Sequence, residues 1–355
     1  MDTLTHALSG ALIARTTEPS GGSGVLPGRT RLAVGFWAAA FPDSDFVLRF
    51  VDPLTYLTTH RGVTHSVIML PFWAVALALV FWLLYRRRHP WRAFVGVCAL
   101  GIGVHIAGDV ITSFGTMIFA PLSSWRAQIP AVFIIDPYFT FIIAVGLLGS
   151  FYWKHTRLPA RVSAGVLVAY VAAQVAVNQR AEAIGAAYID TQRLEPARAH
   201  ALPQPLSPFN RLIVVEQPEV YHLGYVSLIR SETRALPAGA HWLRRVHAVY
   251  QPTDQLIWRR VPRYGGSAAD AAIARSLWTS ELFGRFRWFA MLPAVYRVDR
   301  TPRRACIWFN DLRFALPGRT MPFRYGACRE HPEGPWKLYQ LGENGAGEEV
   351  LHLIE

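Results

Sequence analysis

Four short stretches in the amino-terminal third of the chain combine histidine with aspartate, the side chains that bind divalent metals through imidazole nitrogen and carboxylate oxygen. The stretches are Thr5-His6, Pro42-Asp43-Ser44-Asp45, His60-Arg61-Gly62-Val63-Thr64-His65-Ser66 and His105-Ile106-Ala107-Gly108-Asp109. Two or three imidazoles with two or three carboxylates suit Zn²⁺, and Mn²⁺ or Fe²⁺ are alternatives. A metal held in this way lowers the pKa of a bound water and makes hydroxide available at neutral pH. The residue types therefore predict metal-dependent hydrolysis.

The spacing within each stretch indicates what each residue could do. His105 and Asp109 are four positions apart, so a helix would place both on one face. Arg61 lies between two histidines, where its guanidinium could hold a phosphate or an anionic transition state. The predicted metal ligands are His6, Asp45, His60, His105 and Asp109; the predicted catalytic groups are Arg61, Asp43 and His65; the predicted supporting residues are Asp136, Thr64 and Ser66.

Each of these pieces also has a simpler interpretation when taken alone. A single histidine such as His6 in a helix is more often structural than a ligand, and polar pairs with the spacing of His105 and Asp109 arise in helices by chance. Asp136 precedes Pro137 and is equally expected as a helix cap. The metal hypothesis is favoured by the convergence of the four stretches at one level of a membrane.

That convergence is predicted by the apolar segments between the motifs. The 19 residues 67–85 carry no charge and are long enough to cross a bilayer core. A basic loop, residues 86–92, turns the chain back into a second apolar run that starts at Ala93. The histidine-rich stretch at 60–66 and the His105–Asp109 pair should therefore lie at the same end of two antiparallel helices. Histidine and aspartate at membrane depth are costly and indicate a functional site.

The composition and the pattern of apolar runs predict an α-helical integral membrane domain followed by a soluble β-rich α+β domain. Hydrophobic residues make up 52% of the 355 residues and charged residues only 17%. The predicted membrane domain is residues 1–180, with about six helices: two short ones at 3–14 and 31–41, and spans at 67–85, 93–112, 131–151 and 161–178. Pro203, Pro205 and Pro208 mark a linker over 181–208, and the β-rich domain covers 209–355.

Short runs of β-branched and aromatic residues predict the strands of the second domain. They begin at Arg211, Val220, His247, Cys306 and Trp336, whereas residues 268–289 are predicted to be helical. Turn-forming residues separate the runs. These features are typical of a soluble domain with mixed sheet and helix.

The distribution of basic residues predicts the orientation in a bacterial inner membrane. Loops on one side carry ten Arg and Lys residues and those on the other side three, so the first side should be cytoplasmic. The motifs and the carboxy-terminal domain would then be exoplasmic, and Cys306 and Cys328 could pair there. Because basic membrane proteins concentrate charge in such loops, the net charge of +12 is weak evidence for nucleic-acid binding. Asp2 before the first apolar stretch is not typical of a signal peptide.

Taken together, the four motifs resemble the signature of the bacterial inner-membrane, metal-dependent hydrolases of the YdjM/YbcI type. The resemblance covers residues 1–155 well, and the later region around residues 310–314 is similar to longer members. It implies a multi-pass membrane protein with a bound divalent metal, without defining a substrate.

The order of the motifs is also similar, more distantly, to the zinc-dependent phospholipase C and single-strand nuclease superfamily. That resemblance implies that Asp45, His60, His105 and Asp109 hold one zinc, and that His6 and a bridging Asp109 help to hold a second. The chain departs from the superfamily in lacking an amino-terminal tryptophan whose amino group is a ligand, and in lacking a further HxxxE/D set. One or two zinc ions are therefore implied.

The sequence thus favours a membrane-embedded hydrolase of a phosphoester or other lipid-linked ester, with the lipid bilayer as its surroundings. Two other functions stay open. Intramembrane histidine and aspartate also serve transporters and proton relays, which typically show inverted repeats and helices broken at the membrane midplane. A regulatory membrane protein with a purely structural metal site is the third possibility.

Overall fold

The computed structural model describes residues 1–19, 25–50, 52–233, 236, 239–302, 304–331, 333–342, 345 and 347–350. The helices of the described chain are α1 Thr3–Thr16, α2 Gly28–Ala40, α3 Pro53–Thr59, α4 Leu70–Leu84, α5 Arg92–Val110, α6 Pro137–Tyr152, α7 Leu158–Gln192, α8 Trp242–Val249, α9 Ala268–Thr279 and α10 Gly284–Phe289. Short 3-10 helices include Phe41–Phe50 and Val63–His65. The predicted fold class, a helical membrane region followed by a β-rich region, is confirmed.

Two antiparallel sheets form the β-rich region. The first has four strands in the order β1-β2-β3-β4, and the second has five in the order β5-β6-β7-β8-β9. Their bounds are β1 Arg198–Pro203, β2 Asn210–Glu216, β3 Val220–Ser227, β4 Arg259–Pro262, β5 Pro293–Arg300, β6 Ala305–Asp311, β7 Tyr325–Arg329, β8 Lys337–Leu341 and β9 Gly347–Glu349. Each strand pairs with the next along the chain, so both sheets are simple meanders.

One predicted strand is wrong and the predicted helical segment is right. Residues from His247 onward were expected in a strand, but His247 lies in α8, whose first turn is capped by the side chain of His241. A run of four residues, here 247–250, is too short to distinguish a strand from one face of a helix. The segment 268–289 contains α9 and α10, as predicted.

Within the described residues, two or three helical segments qualify as candidate membrane spans, fewer than the four predicted. Helices α5 and α7 are long and apolar enough to cross a membrane, and α3 with the following 3-10 turn and α4 would form a third span, bent by 80°. Helix α6 has only 16 residues because it begins at Pro137. A proline disfavours the helical conformation in the residue that precedes it, so the helix does not extend further towards the amino terminus. Helix α7 continues to Gln192 through the alanine-rich residues 181–187, part of the segment that was expected to be a linker.

Small residues let α1, α2 and α5 pack closely. A Cβ atom on Gly10 would lie 2.1 Å from the carbonyl oxygen of Gly35, and one on Gly101 would lie 2.9 Å from the Cβ of Ala38. Close backbone approach of this kind is typical of helix pairs in membranes. His6 lies one turn before Gly10 and His105 one turn after Gly101, so this packing brings their elements together.

The chain divides into two compact units, and each has its own core. Unit 1 comprises Met1–Val47 and Thr59–Val177; unit 2 comprises Leu48–Thr58 and Asn178–Glu355. In unit 1, Val34, Ala38 and Phe94 are among the buried side chains between helices. In unit 2, Leu212 and Tyr221 pack with Leu312. A disulfide joins Cys306 and Cys328, which face each other on β6 and β7.

Candidate metal centre

The histidines and aspartates of the four motifs come from different elements of unit 1. His6 is on α1, and Asp43 and Asp45 are in the 3-10 helix that directly follows α2. His60 and His65 lie in the connection between α3 and α4, while His105 and Asp109 share one face of α5, as their spacing predicts. These elements meet because α1, α2 and α5 pack on one another through small side chains.

Four side chains form a compact cluster that could hold a metal ion: Asp43, His65, His105 and Asp109. One ligand atom from each lies within 4.8 Å of the others. The Nε2 atoms of His65 and His105 are 3.0 Å apart, and they lie 3.3 Å and 3.5 Å from Oδ2 of Asp109. Oδ1 of Asp43 is 3.7 Å and 3.6 Å from the same two nitrogens. A tetrahedral zinc site with bonds of about 2.0–2.1 Å has ligand atoms about 3.4 Å apart.

The outer nitrogen of each imidazole has a partner that fixes the protonation of the ring. Nδ1 of His105 lies 2.6 Å from the carbonyl oxygen of Ala39, which can only accept, so this nitrogen donates. Nδ1 of His65 lies 2.9 Å from Oγ1 of Thr64, whose hydroxyl donates to Asp45 at 3.1 Å, so Nδ1 again carries the proton. Both Nε2 atoms of the neutral rings therefore point lone pairs into the cluster, the arrangement typical of metal-binding histidines.

Asp109 supplies the observation that best fits a bound cation. It is fully buried, and within the described part of the chain its Oδ2 atom accepts no hydrogen bond. Instead it faces the lone pairs of His65 and His105. A buried acceptor without a hydrogen-bond donor raises the free energy of the folded state. A cation among these atoms would remove that cost, so the donor set fits a divalent metal.

Asp45 and His60 lie just outside the cluster and support it. Oδ1 of Asp45 is 2.8 Å from Nδ1 of His60, and Oδ2 accepts from the hydroxyl of Thr64 and from the backbone nitrogen of Arg61 at 3.3 Å. Asp45 thus ties together the loop that carries His65. Partners of this kind orient the ligands that they contact.

His6 and Arg61 contact the other oxygen of Asp109. Nε2 of His6 is 3.0 Å from Oδ1, and the ring of His6 stacks on that of His105 with centroids 3.7 Å apart. Nη2 of Arg61 is 2.8 Å from the same Oδ1, while its Nη1 donates to Oγ1 of Thr112 at 2.8 Å. The buried α-amino nitrogen of Met1 also lies 2.5 Å from Oδ1. Oδ1 therefore faces donors, and Oδ2 faces the cluster.

Asp43 is the most accessible member of the cluster, with a side chain 15% exposed, whereas the other three are 0% exposed. The hydroxyl of Thr3 donates to Asp43 at 2.6 Å. The carboxylate of Asp43 thus forms the open edge of the cluster.

The amino-terminal half of the sequence matches the YdjM inner membrane protein family over residues 1–181. The chain belongs to this family. It is also similar to the uncharacterized protein YfhP of Bacillus subtilis (strain 168), with 27% identity over 157 residues, which are 43% of this chain and 46% of the relative. The matched part is thus about half the length of that curated relative. No solved structure matches the chain.

The matched region contains all the predicted site residues. Of the predicted supporting residues, Thr64 contacts both His65 and Asp45, whereas Ser66 donates to the carbonyl oxygen of Ala120 at 2.5 Å. Asp136 caps α6, accepting from the backbone nitrogens of Tyr138 and Phe139, as its position before a proline indicated.

Two contributors to the site were not recognised from the sequence. They are the carbonyl oxygen of Ala39 and the amino nitrogen of Met1. Every residue has a backbone carbonyl, so no motif could mark Ala39. The amino group is recognisable only once α1 is placed against α5.

Proposed function

We propose that this protein is a membrane-embedded metal-dependent hydrolase that acts on a phosphoester or another lipid-linked ester. The observation that carries the proposal is the convergence of two imidazole lone pairs and two carboxylates on one buried point. Zinc is the metal that such a mixed nitrogen and oxygen set suits, and manganese or iron is the alternative. A zinc ion at this point would lower the pKa of a water molecule and polarise a substrate oxygen.

The side chains around the cluster have distinct roles in this proposal. Asp43, His65, His105 and Asp109 hold the metal, which moves Asp43 and His65 from catalytic candidates to ligands. Asp45 and His60 orient the loop that bears His65. The guanidinium of Arg61 fixes Asp109 through Oδ1, and in this proposal its positive charge also helps to stabilise an anionic transition state. His6 supports Asp109 through its contact with Oδ1.

An amphiphilic substrate is supported by the apolar side chains beside the open edge of the cluster. Phe46 and Val47 follow the aspartates directly and are both 55% exposed, and Val63 in the histidine-rich stretch is 42% exposed. Exposed apolar groups in a membrane protein face acyl chains at little cost. A lipid could therefore remain in the bilayer while its polar ester reaches Asp43.

We further propose that the site and the carboxy-terminal unit face the exoplasm of a bacterial inner membrane. The basic loops at 86–92 and 154–161 would be cytoplasmic under the positive-inside rule. The disulfide between Cys306 and Cys328 supports the same orientation, because disulfides persist in oxidising compartments. An alkaline phosphatase fused after residue 355 should be active in cells, and activity of a cytoplasmic reporter alone would contradict this orientation.

The metal is tested by elemental analysis of the purified protein beside His105→Ala. We expect stoichiometric zinc in the wild type and its loss in the variant. His155→Ala is the matched control, because His155 is an exposed histidine of unit 1 outside the cluster. Stoichiometric metal in folded His105→Ala and Asp109→Ala variants would reduce the His105–Asp109 pair to a polar contact within α5.

Hydrolysis is tested on the zinc-loaded protein with phosphodiester, phosphomonoester and carboxyl-ester lipids in mixed micelles. Turnover that disappears in His105→Ala and survives in His155→Ala supports the proposal. Stoichiometric zinc without turnover of any ester would indicate a structural metal site instead.

One observation favours a second function, transport of an ion or a proton. The chain bends by 80° between the segment ending at His65 and helix α4, as a broken span or a re-entrant loop would. Broken helices line the binding sites of many transporters. Zinc or proton flux into proteoliposomes, without ester hydrolysis, would favour this alternative.

A further inference from the structure

A segment of the amino-terminal region belongs to unit 2 rather than to the unit that surrounds it in the sequence. Unit 1 is interrupted after Val47 and resumes at Thr59, and residues Leu48–Thr58 cluster with the carboxy-terminal chain. Helix α3 occupies most of this segment, and its Leu54 and Leu57 are almost completely buried. The segment is therefore a packed part of unit 2.

Arg285 on α10 holds this segment by three polar contacts. Its guanidinium lies 3.3 Å from Oδ2 of Asp52 and donates to the hydroxyls of Thr55 at 2.8 Å and Thr58 at 3.2 Å. Asp52 is 4% exposed and also accepts from the backbone nitrogens of Leu54 and Thr55, so it caps α3. One guanidinium thus contacts the cap and one face of the helix.

Two residues that flank this segment in the sequence are hydrogen-bonded to each other beside the metal cluster. Asp45 lies three residues before Leu48, His60 lies two residues after Thr58, and their side chains are hydrogen-bonded at 2.8 Å. The hydrogen bonds continue from Asp45 to His65: Oδ2 of Asp45 accepts from the hydroxyl of Thr64, whose oxygen also contacts Nδ1 of His65. Because α3 is covalently connected to both Asp45 and His60, its position affects the Asp45 carboxylate, which helps to orient the proposed ligand His65.

We propose that Arg285 is a positioning residue for the metal centre, through which the carboxy-terminal unit sets the geometry of Asp45, His60 and His65. The inference rests on the proposed metal site and assigns to unit 2 a role in it. Isolated surface ion pairs contribute little, but Arg285 acts on a buried aspartate and two hydroxyls at once. Loss of these contacts would release α3 and weaken the hydrogen bond between Asp45 and His60.

The test compares full-length Arg285→Ala and Arg285→Lys proteins with the wild type, purified in detergent. Zinc affinity is measured by competition with a chelator, and the visible spectrum of the cobalt-loaded protein reports coordination geometry. We expect about tenfold weaker zinc binding and an altered cobalt spectrum in Arg285→Ala, the lower end of the effect of residues that orient ligands. Arg285→Lys, which keeps the charge but cannot reach all three partners, should be intermediate.

Arg275→Gln is the matched control, because Arg275 lies on the preceding helix and pairs with Glu219 at the surface of the same unit. It should keep the affinity and spectrum of the wild type. Asp52→Asn, which retains a capping oxygen but loses its charge, should weaken zinc binding in the same direction as Arg285→Ala.

The outcomes separate this inference from the proposed function. Zinc-free wild-type protein would overturn the metal site itself. Zinc-binding wild type with unchanged affinity and cobalt spectrum in Arg285→Ala would overturn only the role of Arg285. Should Arg285→Ala fail to fold, Arg285→Lys and Asp52→Asn decide, since wild-type values in both would contradict the proposal.

Discussion

The Nε2 atoms of His65 and His105 face each other at 3.0 Å, although the residues lie on different elements and 40 positions apart. The other ring nitrogen, Nδ1, orients each imidazole: that of His105 contacts a backbone carbonyl oxygen, and that of His65 contacts a threonine hydroxyl. Two neutral imidazoles cannot satisfy each other when both protons are on the outer nitrogens. Their approach is therefore stable with a shared cation between them and Asp109, as proposed above.

This arrangement predicts that His65 and His60 differ in their effect on metal binding. His65→Ala removes a proposed ligand and should abolish stoichiometric zinc. His60→Ala removes the hydrogen-bond partner of Asp45 and should weaken zinc binding about 10- to 100-fold. Chelator competition on the purified proteins measures both. Complete metal loss in His60→Ala with retention in His65→Ala would restore His60 as the ligand that the sequence indicated.

Thr64 should matter for the metal although its side chain is outside the proposed ligand set. Thr64→Val keeps the shape of the side chain but removes the hydroxyl between His65 and Asp45, and zinc affinity should fall about 10- to 100-fold. Thr64→Ser retains the hydroxyl and should bind zinc like the wild type. Equal affinities of the valine and serine variants would show that the hydroxyl does not orient His65.

Much of the architecture could be predicted from local patterns. The apolar run of α5 and its histidine and aspartate four residues apart predicted the helix and its polar face. Short runs of β-branched and aromatic residues predicted β2, β3 and β6. Helix ends were less predictable. Pro137 starts α6 six residues later than its apolar run begins, and the alanine-rich end of α7 extends well past its apolar part.

The sequence indicated which residues lie near the cluster better than it indicated which of them belong to the proposed ligand set. All seven histidines and aspartates of the motifs lie at or beside the cluster, because each motif combines ligand chemistry with an apolar surrounding. Whether Asp43 or Asp45 faces His105 depends on the 3-10 helix Phe41–Phe50, where residues two apart point in different directions. No spacing rule distinguishes them. The placement of Leu48–Thr58 in unit 2 likewise depends on contacts far apart in the sequence.

The disulfide should be detectable in the purified protein by counting thiols. The chain has three cysteines, and Cys98 is the buried free one, so the unfolded, unreduced protein should show one thiol and the reduced protein three. The bond closes a loop with a sequence separation of 22 residues. Closing a loop of that size stabilises a fold by about 3 kcal/mol in the chain-entropy model, so reduction should lower the melting temperature of unit 2. Three free thiols before reduction would contradict the pairing.

Acid should destabilise unit 2 in part through Glu216 on β2. Burial raises the pKa of Glu216, but the hydrogen bond with His200 and the contact with Arg263 outweigh burial and hold that pKa below 4.5. Because its pKa is lower in the folded than in the unfolded chain, ionised Glu216 contributes stability above about pH 4.5. That contribution is lost as the pH falls through the folded-state pKa.

Glu216→Gln should therefore flatten the acid limb of the stability profile, measured as melting temperature from about pH 6 to about pH 3. Glu219→Gln is the control, since Glu219 is largely exposed in its pair with Arg275. An acid limb of equal slope in Glu216→Gln and the wild type would assign the pH dependence to other groups.

Arg61 should separate metal binding from turnover. Its guanidinium holds Oδ1 of Asp109 with one nitrogen and Oγ1 of Thr112 with the other, each at 2.8 Å. Arginine does not coordinate cations, but it stabilises anions that develop during ester hydrolysis. Arg61→Lys keeps the charge and loses the fork, so we expect stoichiometric zinc and a kcat about 10²-fold lower.

Arg157→Lys is the control for this substitution, because Arg157 donates to the carbonyl oxygen of Pro19 outside the cluster. It should retain both zinc and turnover. If Arg61→Lys loses zinc and activity in parallel, Arg61 serves only to hold Asp109. If it loses neither, the guanidinium has no part in the reaction, and the anion must be stabilised by the metal alone.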